Sequence, residues 1–304
     1  MDLQTHSLFQ PSQANGRVAT NKYMEILPTP LLNSYVSCYW FSEPVTETPQ
    51  QDSSRSLASL REGSVDRVLP DGCSDIIFEH DLKRNKCRTL FCGFMDEPFT
   101  ITYDQHYPLR KFGVRFFPGG VFSMLGIPQQ DFANAHVDLD LVWPSITRDI
   151  EARMFEEPSF EKKAKIMDEY LLSCIRIRET ANDNLLNNLL YHVFATEGKT
   201  TVRELAEREA ISARQMNRLF YRWIGTSPKR FCEVVRFQTV INVIQSSTVI
   251  DRTLAFNHGY FDQAHMIRDF KRFYGDSPSV AIREFGTMSD FYNKKIHQFI
   301  TMEI

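Results

Sequence analysis

The chain has 304 residues, 42% hydrophobic and 24% charged, with a formal net charge of −3. That length exceeds one ordinary hydrophobic core and predicts about two domains. No stretch approaches the roughly 20 apolar residues that cross a bilayer, and the opening MDLQTHSLFQPSQANG lacks the basic-then-apolar order of a secretory signal, so a soluble, cytoplasmic protein with no membrane partner is expected.

From Ser34 to Phe117 the sequence reads as short strands. Segments 35–41, 74–78, 88–92, 98–103 and 111–116 are rich in β-branched and aromatic residues, and turn formers such as Leu69-Pro70-Asp71-Gly72 and Phe117-Pro118-Gly119-Gly120 separate them. An antiparallel, barrel-like sheet is the expected product. In its last strand Phe112, Val114 and Phe116 face one way and Lys111, Gly113 and Arg115 the other. The polar run 50–63 reads as a loop. Tyr39, Trp40, Phe78, Tyr103 and Arg115 are the candidate ligand-binding side chains of the sheet, where they either line a pocket or fill a core.

Beyond Trp143 the period becomes helical: Ile150, Met154 and Phe155, then Ile166, Met167, Tyr170, Leu171 and Cys174, recur every three or four residues. These helices either cover the sheet or form a dimer interface. The polar run from Glu179 to Asn184 marks a domain boundary. The division is residues 1–180, β-rich over 20–125 and helical over 140–178, and residues 181–304. The fold class is α+β: an antiparallel β barrel-like domain with flanking helices, then an all-α domain.

Charge is spread unevenly. Residues 183–304 carry 16 Lys+Arg against 13 Asp+Glu, while the remainder carries 19 against 25. Between Arg208 and Arg236 the basic residues face only Glu209 and Glu233, which suits a polyanion partner or a plain solvated helix face. The last third also repeats itself. Ile211 to Pro228 reads ISARQMNRLFYRWIGTSP and Phe261 to Pro278 reads FDQAHMIRDFKRFYGDSP, with Met216, Arg218, Phe220, Arg222, Gly225, Ser227 and Pro228 recurring fifty residues later.

Each repeat parses as helix, tight turn, helix, over residues 200–225 and 250–275. Thr201 with Glu204 and Ser212 with Gln215 have the spacing of capping boxes that open two successive helices, and so short a turn makes their axes cross steeply. Ala206, Leu254 and Ala255 permit close approach. Gly259 supplies the second turn, while the first has Ala210 where a glycine would relax a left-handed turn; either the alanine costs about 1 kcal/mol or this turn is built differently. Met216, Leu219, Phe220 and Trp223 point inward, as do Met266, Phe270 and Phe273. Polar side chains that can fork onto base edges are left outside. Ser227-Pro228 opens a connecting helix over 228–246, whose apolar stripe is Phe231, Val234, Val235, Ile241 and Ile244. Its eighteen or so residues make a rod of roughly 27 Å, comparable with one DNA turn of about 34 Å.

These tandem units, with Gly225-Thr226-Ser227-Pro228, Gly259-Tyr260-Phe261-Asp262-Gln263-Ala264-His265, Phe270-Lys271-Arg272 and Gly275-Asp276-Ser277-Pro278, resemble the DNA-binding domain of AraC/XylS-type transcriptional regulators over residues 185–285. Ala210 and Asp251 depart from the family pattern. The resemblance implies that each second helix enters a successive major groove of double-stranded DNA. It places base contacts at Arg214, Gln215, Asn217, Arg218, Gln263, Ala264, His265, Ile267 and Arg268. Phosphate contacts fall to Thr201, Ser212, Arg222, Lys271 and Arg272. Through Leu69-Pro70-Asp71-Gly72-Cys73-Ser74-Asp75 and Gly113-Val114-Arg115-Phe116-Phe117-Pro118-Gly119, the N-terminal part is similar to an uncharacterised domain found ahead of such pairs. That position implies a sensor or dimerisation role in a monomer or homodimer, with a small-molecule effector and RNA polymerase as further candidate partners.

An enzyme would start from Cys73, flanked by Asp71 and Asp75, with His80, His106 and His136 as bases, but no spacing brings them together. The six cysteines, Cys38, Cys73, Cys87, Cys92, Cys174 and Cys232, include no Cys-x-x-Cys pair and no histidine at zinc spacing. They read as reduced packed thiols, with neither metal nor cofactor expected. An RNA-binding or scaffolding module needs exposed stacking aromatics, whereas Phe220, Trp223, Phe270 and Phe273 lie on inward faces.

Overall fold

The computed structural model describes residues 5, 7–14, 21–45, 65–104, 106–175, 181–246 and 254–287; the predicted loop 50–63 and Asp251 lie outside the described residues. The strands are β1 (Asn21–Ile26), β2 (Val36–Pro44), β3 (Val65–Val68), β4 (Ser74–Asp81), β5 (Lys86–Cys92), β6 (Phe99–Thr102), β7 (Leu109–Phe116) and β8 (His136–Asp138). Six form one antiparallel sheet in the order β1-β2-β7-β4-β5-β8, and β3 pairs with β6 as a separate ribbon. Three of them were not legible in the sequence. NKYMEI, VDRV and HVD are short or charged, and form strands because a neighbour offers them a ladder.

Strand alternation separates two environments. Tyr39, Phe41, Ile76, Phe78, Phe112, Val114 and Phe116 face a core closed by α1 (Gly120–Leu125), a run of short turns through Thr147–Glu151, α2 (Ala152–Glu156) and α3 (Phe160–Cys174). Met154, Phe160, Met167 and Leu171 complete that core, so these helices cover the sheet. The opposite face carries Trp40, Asp75, Ile77, Lys111 and Arg115 toward a cavity of about 170 Å³, which Phe99 and Ile101 of β6 and the following Tyr103 border from the far side.

The C-terminal helices are α4 (Ala181–Ala195), α5 (Val202–Arg208), α6 (Ala213–Ile224), α7 (Pro228–Ser246), α8 (Leu254–Asn257), α9 (Gln263–Tyr274) and α10 (Pro278–Thr287). The polar run read as a boundary is partly helical, since Ala181–Asn184 forms the first turn of α4. Met216, Phe220, Trp223, Met266, Phe270 and Phe273 are buried as their spacing required, each worth about 1.5–3 kcal/mol. Helix α7 buries the expected stripe of Phe231, Val234, Val235, Ile241 and Ile244 and adds Cys232, Phe237, Gln238 and Val240 to it, while Lys229 stays exposed and Glu233 and Arg236 half-buried, so it is a central pillar with one narrow edge open.

The neighbouring helices cover most of the pillar, and the sheet domain and the N-terminal segment cover the rest. Phe9 stacks on Phe194 with ring centres 4.6 Å apart. Gln238 Nε2 donates to Pro70 O at 2.7 Å, and Ser12 N donates to Gln238 Oε1 at 2.7 Å. Phe9, Ala14, Leu69 and Phe94 consequently belong to the core of the helical part. Among the described residues no helix is long and apolar enough to cross a membrane.

Candidate nucleic-acid interface

Both helix-turn-helix units are built by local capping. In the first, Glu204 N donates to Thr201 Oγ1 at 3.2 Å and Thr201 N donates to Glu204 Oε2 at 2.7 Å, a reciprocal capping box. Ser212 Oγ accepts from Gln215 N and caps α6; Asp262 does the same for α9 through His265 N at 2.7 Å. Between α5 and α6 the chain turns at Ala210, whose φ of 51° is left-handed, and Ile211 N closes onto Ala206 O at 3.0 Å. In the second unit Gly259 takes the left-handed position at φ 74° and Tyr260 N closes onto Ala255 O at 2.9 Å. The first helices and turns therefore align at an offset of 49 and the caps at 50. The extra turn residue is Phe261, 84% exposed.

The twin ridges face solvent. Arg214, Gln215, Arg218, Tyr221 and Arg222 of α6 are exposed, as are Gln263, Ala264, Arg268, Lys271 and Arg272 of α9. Arg214, Arg218 and Arg222 stand four residues apart and form one cationic edge. Among the described residues none of these three, nor Arg268 or Lys271, forms an ion pair, whereas Arg272 Nη1 lies 3.7 Å from Glu233 Oε2. The remaining expected contacts are less free. Asn217 is half-buried and its Nδ2 donates to Ala213 O at 2.9 Å. His265 sits 3.3 Å from Asp269 and accepts from Phe261 N, tied into its own turn. Ile267 packs partly against the core. The hydroxyls of Thr201 and Ser212 are engaged in the caps. Tyr221, at the middle of the α6 ridge, is an exposed ring that base-edge chemistry did not single out; Phe261 could have been found only from the one-residue turn insertion.

The sheet domain holds the C-terminal ends of both second helices. Gln129 N donates to Arg222 O at 2.8 Å, and the Phe122 ring lies 6.1 Å from Trp223 and 5.4 Å from the Arg222 guanidinium. Arg67 of β3 donates through Nη1 to Tyr274 O at 2.8 Å, stacks 4.8 Å over the Tyr274 ring and lies 3.5 Å from Glu284. A cation there also complements the negative end of α9. Each grip falls on a left-handed glycine cap. A Cβ at Gly225 would lie 3.0 Å from Gln129 O and one at Gly275 would lie 2.7 Å from Arg67 Nη1. Arg230 adds a third tie, with Nε 2.7 Å from Asp96 Oδ2 and its guanidinium 4.6 Å over Phe273.

Of the candidate ligand-binding residues, Trp40, Tyr103 and Arg115 border the cavity. Tyr39 and Phe78 correct the expectation: strand alternation sends them to the other face, where they are sealed in the core and Tyr39 Oη donates to Asp168 at 2.7 Å. Register assembles the rest of the cavity wall. Arg115 lies between Cys38 and Asp75 on neighbouring strands, and Asp75 pairs with Cys92 on the next. Arg115 Nε is 3.4 Å from Asp75 and 3.6 Å from Asp71, and its Nη1 is 3.6 Å from Glu25. Burial pushes the Asp75 carboxyl up to about 6, although Arg115 pulls it down. The same burial holds the Cys73 thiol well above its usual range, which leaves it protonated rather than a nucleophile. Cys92 Sγ lies 3.1 Å from His136 Nε2, a pairing the sequence did not reveal, but this thiol too is pushed up by burial.

Comparison with known proteins places two domains on the chain. Residues 24–138 match a domain of unknown function (DUF6597), and residues 205–284 match a helix-turn-helix domain. An uncharacterized HTH-type transcriptional regulator of Haemophilus influenzae is 35% identical over 78 residues, which are 26% of this chain and 26% of that protein. The chain thus spans about a quarter of the length of that relative. Among solved structures, ToxT from Vibrio cholerae bound to (E)-4-(8-methylnaphthalen-1-yl)but-3-enoic acid is 11% identical with a TM-score of 0.40, covering 73% of this chain and 98% of that one. ToxT bound to an unsaturated fatty acid is 10% identical with a TM-score of 0.38, covering 72% and 93%.

Proposed function

We propose, with the AraC-type helix-turn-helix domain at the C-terminal end of the chain as premise, that the protein is a sequence-specific DNA-binding transcriptional regulator. Its two reading helices, α6 and α9, enter successive major grooves. The observation that carries this reading is the pair of ridges: two copies of one helical unit bury their aromatic faces and hold Arg214, Arg218, Arg222, Arg268 and Lys271 in solvent with no ion-pair partner among the described residues. A merely structural helix pair gains nothing from so many uncompensated cations, whereas the phosphate backbone rewards each one. Arg214, Gln215, Arg218, Gln263 and Arg268 are suited to base edges, and Arg222, Lys271 and Arg272 to phosphates. Asn217 and His265 reach bases after exchanging their internal hydrogen bonds; Ala264 and Ile267 offer apolar contact to a thymine methyl.

The N-terminal domain controls this reading head. Support comes from continuity: the cavity borders Leu69 and Asp71, the intervening Pro70 carbonyl is held by Gln238 of α7, and the ribbon residue beside Val68 is Arg67, which grips α9. A change at the cavity thus reaches the pillar and one reading helix through two hydrogen bonds. Footprinting the purified full chain on DNA upstream of its own gene tests the function. Protection of about twenty base pairs per monomer is expected for two major grooves on one face. Binding that is equal on all sequences of the same length would refute it.

A further inference from the structure

The cavity between the sheet and the β3–β6 ribbon has a chemistry that narrows what can occupy it. Its charged wall is lopsided: Asp71 and Asp75 of the lining, with Glu25 from behind it, converge on the single guanidinium of Arg115, while the neighbouring Glu79 and Lys111 neutralise each other at 3.0 Å. Asp71 is satisfied, accepting from Gln13 Nε2 at 2.7 Å and Cys73 N at 2.9 Å. Asp75 is held less fully: its Oδ1 lies 3.4 Å from Arg115 Nε and close to Trp40 Nε1, but among the described residues neither contact has the alignment of a good hydrogen bond. Trp40 is only 8% exposed and Arg115 4%, so little bulk water reaches this group to complete its shell. Surplus negative charge in so dry a place is costly unless a proton or a cation completes it. The rest of the wall is aromatic, with Tyr23 stacked on Trp40 at 6.1 Å and Tyr103 opposite.

Resting on the regulator reading above, we propose that this cavity binds a small organic cation, a protonated amine whose N–H groups meet Asp75 and whose apolar body lies against Tyr23, Trp40 and Tyr103. Aromatic faces and a carboxylate together are the pairing that ammonium groups favour. The volume suits a molecule somewhat larger than benzene, which occupies an apolar cavity of about 150 Å³ elsewhere. An anion is excluded by the same count, since it would stand as a fourth negative group around one Arg115.

Three molecules of one shape and different charge test the inference on the full chain at neutral pH: benzylamine, benzyl alcohol and benzoate, by titration calorimetry. Benzylamine is expected to bind at least tenfold more tightly than benzyl alcohol, with no binding of benzoate. Asp75→Asn should erase the amine's advantage, and Ile77→Phe, which fills the cavity without touching a charge, should abolish binding. Preference for benzoate, equal binding of all three, or amine binding unchanged in Ile77→Phe would overturn it; the comparison on the unaltered protein decides the matter even if Asp75→Asn does not fold. The same preparations are footprinted on DNA. Sequence-specific protection without an amine preference removes the cation alone, whereas an amine preference without protection removes the regulator reading and leaves the cavity assignment standing.

Discussion

Arg67→Ala severs the grip of the sheet domain on the second reading helix. Three interactions are lost. The charged hydrogen bond to Tyr274 O at 2.8 Å is worth about 1.5–3 kcal/mol. The partly exposed pair with Glu284 at 3.5 Å contributes no more than about 1, and the stack over Tyr274 about 0.5–1. Part of this is recovered. Glu284 keeps its hydrogen bond from Tyr274 Oη, and the freed carbonyl at the end of α9 turns to water, so a net loss of about 2–3 kcal/mol is expected. At about 1.4 kcal/mol per factor of ten, amides of α9 that open by parting from the ribbon should exchange roughly 30- to 150-fold faster. Hydrogen exchange read by mass spectrometry over residues 263–274 measures this, with residues 213–224 of α6, held by Gln129 instead, as an internal control. Equal protection in variant and parent, or equal loss in both helices, would show that the grip does not stabilise α9 and would undo the coupling between cavity and reading head.

Ala210→Gly relieves an exposed left-handed alanine with φ 51°; it should stabilise the protein by about 0.5–1 kcal/mol in urea unfolding without altering DNA affinity, and a destabilisation would refute the strain. Arg218→Ala should blur preference at one or two base pairs, while Arg272→Ala should weaken all sequences alike and flatten the salt dependence; identical behaviour of the two in a binding-site selection would sink the division of roles. Asp75, raised in the folded state to about 6 from 3.8, binds its proton more tightly folded than unfolded. Stability from this group is therefore full below about pH 4 and is lost as pH rises through 6, by up to about 3 kcal/mol at about 1.4 per unit. Asp75→Asn should remove that slope, and parallel curves of stability against pH from 4 to 7 would contradict the assignment.

The local pieces were legible in the chain alone. Helical spacing of Met216, Phe220 and Trp223, the Thr201 box and the Ser227-Pro228 start each depend on neighbours within a few residues, so the units and their inward faces could be read from the chain, while the left-handed backbone of Ala210 was one of two alternatives there. The duplication added a check that composition cannot supply. What lay beyond reach depended on partners distant in the chain. The surroundings of α7 are invisible to periodicity, because its second side is met by Ser12, Pro70 and Gly72, more than a hundred residues away. Tyr39 and Trp40 look equally fit for a pocket, and only the pairing of β2 with β7 decides which of two adjacent aromatics faces the cavity. The same holds for Arg115. A basic residue in a strand states its charge, but the three carboxylates around it are brought there by register and by a loop closing over the sheet, and long-range closure of that kind leaves no local trace.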